Sequence, residues 1–390
     1  MENKLLNISP YPWVEPMHGG QYRVNNIIKK YLSLGVEVDS IGIIPPGISD
    51  AQDGFVNVDF GFMDRYSNTP WQMWDYYCCD EYFSQEQKYE QLKNQIKEEP
   101  SIIQVEQPWL FKFAFKYASS LKKQVKLIYS SQNIEYLLKE KILKSSSSLD
   151  IEVINEEVEK VRALEEFAIK NSDIVISCTD RDAAFAKKIN NSCIVLVCPN
   201  GVRKIRQSFD KQIELPSKYA IYCASGHPPN VEGLYEIFRN GLGCIAPDQK
   251  LIIVGGVCDA ILMDERFNRI PNFFKRSLLV GKVKEDLMDY LISRSHLVIL
   301  PINYGEGSNL KTAEALHSGK WVVGTDTAFR GFETFKKSSG VLVAKTTGEF
   351  ARSIRNALSF GPLELSNVDV NLRESLLWQN TLSGISRIFN

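Results

Sequence analysis

The stretch Tyr304-Gly-Glu-Gly-Ser-Asn-Leu-Lys-Thr-Ala-Glu-Ala-Leu-His-Ser-Gly-Lys-Trp-Val-Val-Gly324 decides the fold. Just before it, the apolar run from His296 to Pro301 predicts a buried strand that stops at a proline. A Gly/Ser/Asn loop follows, then a helical pattern over Leu310 to Ser318, then Gly319 and a second strand over Trp321 to Val323. Strand, glycine-rich loop, helix and strand in that order present free backbone N–H groups and a positive helix end to an anion. Glu306, Lys311 and Glu314 all fall at this one loop–helix junction.

A nucleotide diphosphate-sugar offers sugar hydroxyls, a charged diphosphate and a ribose diol. A carboxylate accepts two hydrogen bonds from a vicinal diol, so Glu306 and Glu314 suit the sugar and the ribose. Lys311, at the helix start, adds a point charge where diphosphate charge grows as a sugar leaves. Gly307, Ser308 and Asn309 permit close backbone approach, donate N–H groups or cap the helix. Glu314 follows Leu310 by four residues and shares its side of the helix. The eight-residue spacing is weak by itself. Glu157 and Glu165 repeat it inside a charged helical stretch, where a solvated face is expected.

In its strand–loop–helix context the segment resembles the Glu-x7-Glu donor motif of retaining GT-B glycosyltransferases, family 4 in particular. The early His18-Gly19-Gly20 loop, Cys198-Pro-Asn-Gly-Val202, Ser225-Gly-His-Pro-Pro-Asn230, Ile252-Ile-Val-Gly-Gly256 and a late helix at Trp378 fit that resemblance in order. It implies an α/β chain of GT-B fold, with two Rossmann-like domains whose parallel sheets face a central cleft. It implies Glu306 at the donor-sugar hydroxyls and Glu314 on the ribose. Lys311 and the backbone of Gly307, Ser308, Asn309 and Leu310 then lie near sugar and diphosphate, with Gly19 and Gly20 as further donor contacts. The implied reaction is a metal-independent, retaining transfer from a nucleotide-sugar to a hydroxyl of a glycan or glycoconjugate. The nucleotide-sugar is substrate, and no cofactor is expected. The implied location is the cytoplasm, including the inner face of the membrane.

One departure matters. Tyr129-Ser-Ser-Gln-Asn-Ile-Glu-Tyr136 resembles a family segment in which a His-Asn pair precedes an acidic residue, and here Gln132 stands where that histidine is expected. Gln132 and Asn133 are the acceptor-side candidates. An amide hydrogen-bonds but takes no proton near neutral pH. Either the departing phosphate oxygen accepts the acceptor's proton and transfer survives, or the chain is a noncatalytic nucleotide-sugar-binding partner subunit. A nucleotide-sugar epimerase of related fold is the third reading.

The 390 residues predict two domains, over 1–203 and 204–370, and a helical pattern over Leu372 to Ile388 follows. The resemblance implies that this last segment, 371–390, crosses back to the first domain. Strands are expected at Lys4–Ser9, Val36–Ile44, Ile102–Val105, Val125–Tyr129, Ile174–Ser177 and Ile194–Val197. A second series follows at Tyr219–Cys223, Leu251–Val254, Leu278–Val280, Leu297–Leu300, Trp321–Val323 and Val341–Val343. A net charge of -1 argues against a nucleic-acid binder working through a basic face. The cysteines show no repeated Cys-x-x-Cys spacing, which points to reduced, buried thiols. No apolar run reaches the roughly 20 residues of a membrane span. Peripheral membrane contact stays open through the aromatic and basic run from Trp109 to Lys126, although a helix packing its rings inward is the simpler reading. Asp180-Arg-Asp182 matches a manganese motif, but its place after a strand favours a helix cap, and no metal is expected. The aromatic run from Trp71 to Phe83 suits either an acceptor groove or a core helix.

Overall fold

The computed structural model describes residues 4–16, 19–46, 52–145, 149–206, 214–303 and 310–389. They form two compact units, Met1–Pro199 with Leu382–Asn390, and Asn200–Thr381.

The first unit holds β1 (Lys4–Ser9), β2 (Glu37–Ile44), β3 (Phe55–Asn57), β4 (Ile102–Glu106), β5 (Lys126–Ser130), β6 (Ile174–Ser177) and β7 (Ile194–Val197). All pairings are parallel, in the order β3-β2-β1-β4-β5-β6-β7. The second unit holds β8 (Tyr219–Cys223), β9 (Lys250–Val254), β10 (Ser277–Gly281), β11 (Leu297–Leu300), β12 (Trp321–Thr325) and β13 (Val341–Ala344). These are parallel in the order β10-β9-β8-β11-β12-β13. Parallel strands covered on both faces need continuous apolar runs, and Leu297-Val-Ile-Leu300 is buried along its whole length. The winding reverses between β1 and β4 in one sheet and between β8 and β11 in the other. Ligands of open α/β sheets bind beyond the carboxyl ends of the strands at such reversals.

Every expected strand is present. The unforeseen one, β3, is a three-residue edge strand and too short to show a period. The pattern over Leu372 to Ile388, expected as one helix, breaks into Asn367–Glu374, Trp378–Thr381 and the 3-10 turn Ser383–Ile388. The break has a cause in the backbone. Val202 N–H donates to Leu376 O at 2.8 Å and Trp378 N–H donates to Val202 O at 3.1 Å, which takes these groups out of helical bonding. Ile385 and Ile388 are then buried within the first unit, and Phe389 meets the Tyr31 ring edge-on at 5.8 Å.

Glu157 and Glu165 correct the expected solvated face. Both are buried on the inner side of the Ile151–Lys170 helix. Glu157 accepts the Tyr77 hydroxyl at 2.8 Å and Lys160 Nζ at 2.8 Å. Glu165 accepts the N–H groups of Glu135 at 2.9 Å and Tyr136 at 3.2 Å, and so caps the start of the Glu135–Lys144 helix. A charged helical repeat looks the same whether its carboxylates meet water or another helix's free N–H groups.

Burial pushes the Glu165 carboxyl up to about 8, with Glu135 beside it adding to the rise, and pushes Glu135 up to about 7. Both values lie above the ordinary 4.5. The stability from holding these protons is therefore complete below the ordinary value and is lost as pH climbs through the folded values. The melting temperature should fall between pH 5 and pH 8.5, an interval chosen as roughly bracketing the pair's titration. Glu165→Gln should flatten that fall, and a wild-type profile that is already flat contradicts the assignment.

The undecided run from Trp71 to Phe83 packs inward, as does the Trp109–Lys126 run for which that was the simpler reading. Trp71–Met73 and Trp74–Ser84 bury Met73, Cys78, Cys79 and Tyr82, leaving Trp71 exposed. The Phe111–Ser120 helix buries Phe111, Phe113, Ala114 and Tyr117. Thr179 caps the Asp180–Ile189 helix by accepting from Asp182 N–H at 3.2 Å. All eight cysteines are free thiols, seven of them buried and Cys223 half-buried. Among the described residues no helix is long and apolar enough to cross a membrane.

Candidate functional site

At the β8/β11 reversal of the second unit, β8 ends at Cys223 and its loop leads into the Pro228–Phe238 helix. Two prolines open that helix, so its first two residues contribute no N–H to a ligand. Gly233 brings the helix onto the end of β11. An ideal Cβ at this position would lie 1.8 Å from the carbonyl oxygen of Pro301. After β11 the chain reaches the Leu310–His317 helix, which buries Thr312, Ala313, Ala315 and Leu316. Thr312 Oγ1 donates to Ala328 O at 2.5 Å, and buried Arg373 donates to Leu316 O at the other end of the helix and to Ser339 O at 2.6 Å. With that face fixed, Lys311 and Glu314 line a small recess with Cys223, Leu300 and Ala315.

Lys311 Nζ donates to Asn230 Oδ1 at 2.5 Å. Burial lowers the lysine's pKa to about 8, with Glu314 opposing the fall. Glu314 keeps solvent-accessible surface, yet surrounding protein pushes its carboxyl up to about 7 while Arg203 and Lys311 draw it back. The two observations conflict for a group on a convex surface and agree for one in a recess. Accessibility decides whether a ligand can reach it, and a ligand can. Arg203 itself forks onto Asp289 with two contacts of 2.6 Å. The recess thus joins a partly desolvated cation to an accessible carboxylate on one helix.

Lys311 and Glu314 both line the recess, while Leu310 begins their helix without lining it. Glu306, Gly307, Ser308 and Asn309 lie outside the described residues, as does His18. Gly19 and Gly20 open the Gly19–Ser33 helix in the first unit. The space beside Gly20 is taken, because a Cβ there would sit 2.5 Å from Tyr11 Oη and 2.7 Å from Gln132 Oε1. Gln132 Nε2 donates to Tyr11 Oη at 2.8 Å, and Asn133 Nδ2 donates to Glu135 Oε1 at 3.4 Å. Among the described residues no three His, Cys, Asp or Glu side chains gather as metal ligands.

Several residues escaped the sequence reading. Asn230 was visible inside a quoted motif, but nothing there linked it to Lys311, which is 81 positions away. Nothing in the sequence singles out Arg203 or Glu106. Glu106 is in fact fully buried at the end of β4, and burial raises its carboxyl pKa against the pull of Arg23. Strand-end position was the available signal for both Glu106 and Cys223.

Residues 218–359 match the family model described as "Glycosyl transferases group 1". That match encloses the loop after β8 and the Lys311/Glu314 helix. No curated protein matches the chain in sequence. Among solved structures, the sucrose-phosphate synthase of Thermosynechococcus elongatus is similar at 13% identity and TM-score 0.72, over 99% of this chain and 98% of that one. A putative UDP-N-acetylglucosamine 2-epimerase from Listeria monocytogenes is similar at 13% identity and TM-score 0.60, over 100% and 95%. Anabaena HepE, solved with UDP and glucose, is similar at 11% identity and TM-score 0.62, over 98% of each chain. The chain has the GT-B fold, with two Rossmann-like α/β units.

Proposed function

We propose that the protein is a retaining, metal-independent glycosyltransferase moving a sugar from a nucleotide-sugar to a hydroxyl of a glycan or glycoconjugate. The observation that carries this reading is the glycosyltransferase group 1 match, at whose β8/β11 reversal Lys311 and Glu314 share one recess. In this reading Glu314 accepts the ribose diol and Lys311 offsets charge on the diphosphate as the glycosidic bond lengthens. Glu306 holds the donor-sugar hydroxyls, and Gly307 to Leu310 approach the donor through their backbone. Gly19 and Gly20 remain donor-side candidates, and Gln132 with Asn133 acceptor-side ones. Since Gln132 takes no proton at neutral pH, the leaving phosphate oxygen accepts the acceptor's proton.

The likeness to an epimerase supports a second reading, in which the donor is altered with no acceptor present. One experiment separates the two. Nucleotide-sugars are incubated with and without mixed glycan acceptors, in chelator, and products are resolved by NMR. Acceptor-dependent glycoside with the donor's anomeric configuration supports transfer with retention. Inverted product removes retention, and an altered donor without acceptor replaces transfer by epimerisation.

A further inference from the structure

We propose that Asn230 is a positioning residue for Lys311, an amide strut tying the lysine to the β8 loop at Ser225. The role in turnover rests on the donor-site reading above; the strut itself rests on geometry. Asn230 is buried, and its backbone is held on both sides. Its N–H donates to His227 O at 2.9 Å, and its carbonyl accepts the Tyr222 hydroxyl at 3.0 Å. Its side-chain Nδ2 donates to Ser225 O at 2.9 Å and lies 3.1 Å from Ser225 Oγ. A backbone carbonyl only accepts, so the amide nitrogen must face Ser225 and Oδ1 must face Lys311.

Few side chains can fill that place. Aspartate would keep an oxygen for Lys311 but lose the donation to Ser225 O, and leucine would lose both. Lysine carries its charge on a flexible four-carbon stem, and placing such a group before reaction is where a supporting hydrogen bond contributes to rate. The strut also couples the β8 loop to the Leu310–His317 helix. Ser225, Gly226 and His227 keep exposed surface at the start of the Pro228–Phe238 helix; partial desolvation of the His227 ring, and then the Lys311 charge, disfavour its protonation. The two opening prolines carry no N–H, so this helix start offers a ligand fewer backbone donors than most.

The test begins without any ligand. Amine acylation of Lys311 is followed by mass spectrometry at fixed pH, with half-buried Lys320 as internal reference. Asn230→Ala should raise Lys311 labelling relative to Lys320 by about fivefold, on the order of 1 kcal/mol of lost hydrogen bonding. Asn230→Asp loses the tie to Ser225 O but sets a carboxylate against Lys311, which favours the protonated amine, so it should label more slowly than Asn230→Ala and no faster than wild type. Should alanine prevent folding, Asn230→Ser shortens the strut in the same way. Unchanged Lys311 labelling overturns the inference whatever the protein binds. With a nucleotide-sugar the wild type turns over, Asn230→Ala should lower kcat about tenfold with KM little changed. Equal loss in kcat/KM through KM alone overturns positioning in favour of plain binding. Raised labelling in a protein that neither binds nor transfers leaves the strut standing and removes the donor-site reading instead.

Discussion

Lys311→Ala should lower transfer turnover by about 10²–10³-fold, the usual loss when one placed charge donor is removed from a developing anion. Donor binding should weaken far less, because phosphate charge peaks as the bond to the sugar breaks. Stability should not fall with activity. The lysine sits where burial disfavours its charged form, so removing it relieves a cost of folding rather than adding one. Single-turnover kinetics, donor titration and thermal melts on one variant separate these three quantities. Parallel losses in turnover and donor affinity would make Lys311 a simple anchor for the diphosphate. A large drop in melting temperature would make it structural.

Gly233→Ala should be among the most damaging small substitutions in the second unit. The added Cβ would meet the Pro301 carbonyl oxygen at 1.8 Å, and that oxygen belongs to backbone at the end of β11, which no rotamer change can move away. Overpacking of this kind costs about 3 kcal/mol or more, which lowers the melting temperature of a unit this size by roughly 6–12 °C. The consequence extends to the site. The Pro228–Phe238 helix carries Asn230, and any shift away from Pro301 moves the Asn230 contact with Lys311. Calorimetric melting with nucleotide titration checks both effects, and an unchanged melting temperature would mean that the helix does not approach β11 this closely in solution.

Much of this molecule is legible from sequence because its parallel strands are short apolar runs bounded by Gly, Pro and charged turns. The run Leu297 to Leu300 is readable for that reason. Lys311 and Glu314 are readable because three residues of one helix fix their common direction. What stays hidden depends on distant partners. The Glu157 and Glu165 carboxylates read as solvated because sequence does not show the Tyr77 hydroxyl or the Glu135 and Tyr136 N–H groups that await them. The Leu372 to Ile388 pattern reads as one helix because the Val202 backbone that interrupts it lies far back in the chain. Asn230 is hidden in the same way.

The central claim is that the helix bearing Lys311 and Glu314 holds the nucleotide of a sugar donor. The most direct measurement is calorimetric titration of UDP-, GDP-, ADP- and CMP-sugars and their free nucleotides into wild type and Glu314→Ala, without metal. One base class should bind the wild type selectively, and Glu314→Ala should weaken it by ~1.5–3 kcal/mol if the ribose diol loses its charged acceptor. Selective binding that is equally tight in the variant would contradict the ribose assignment. No binding by any of these ligands would contradict the claim itself.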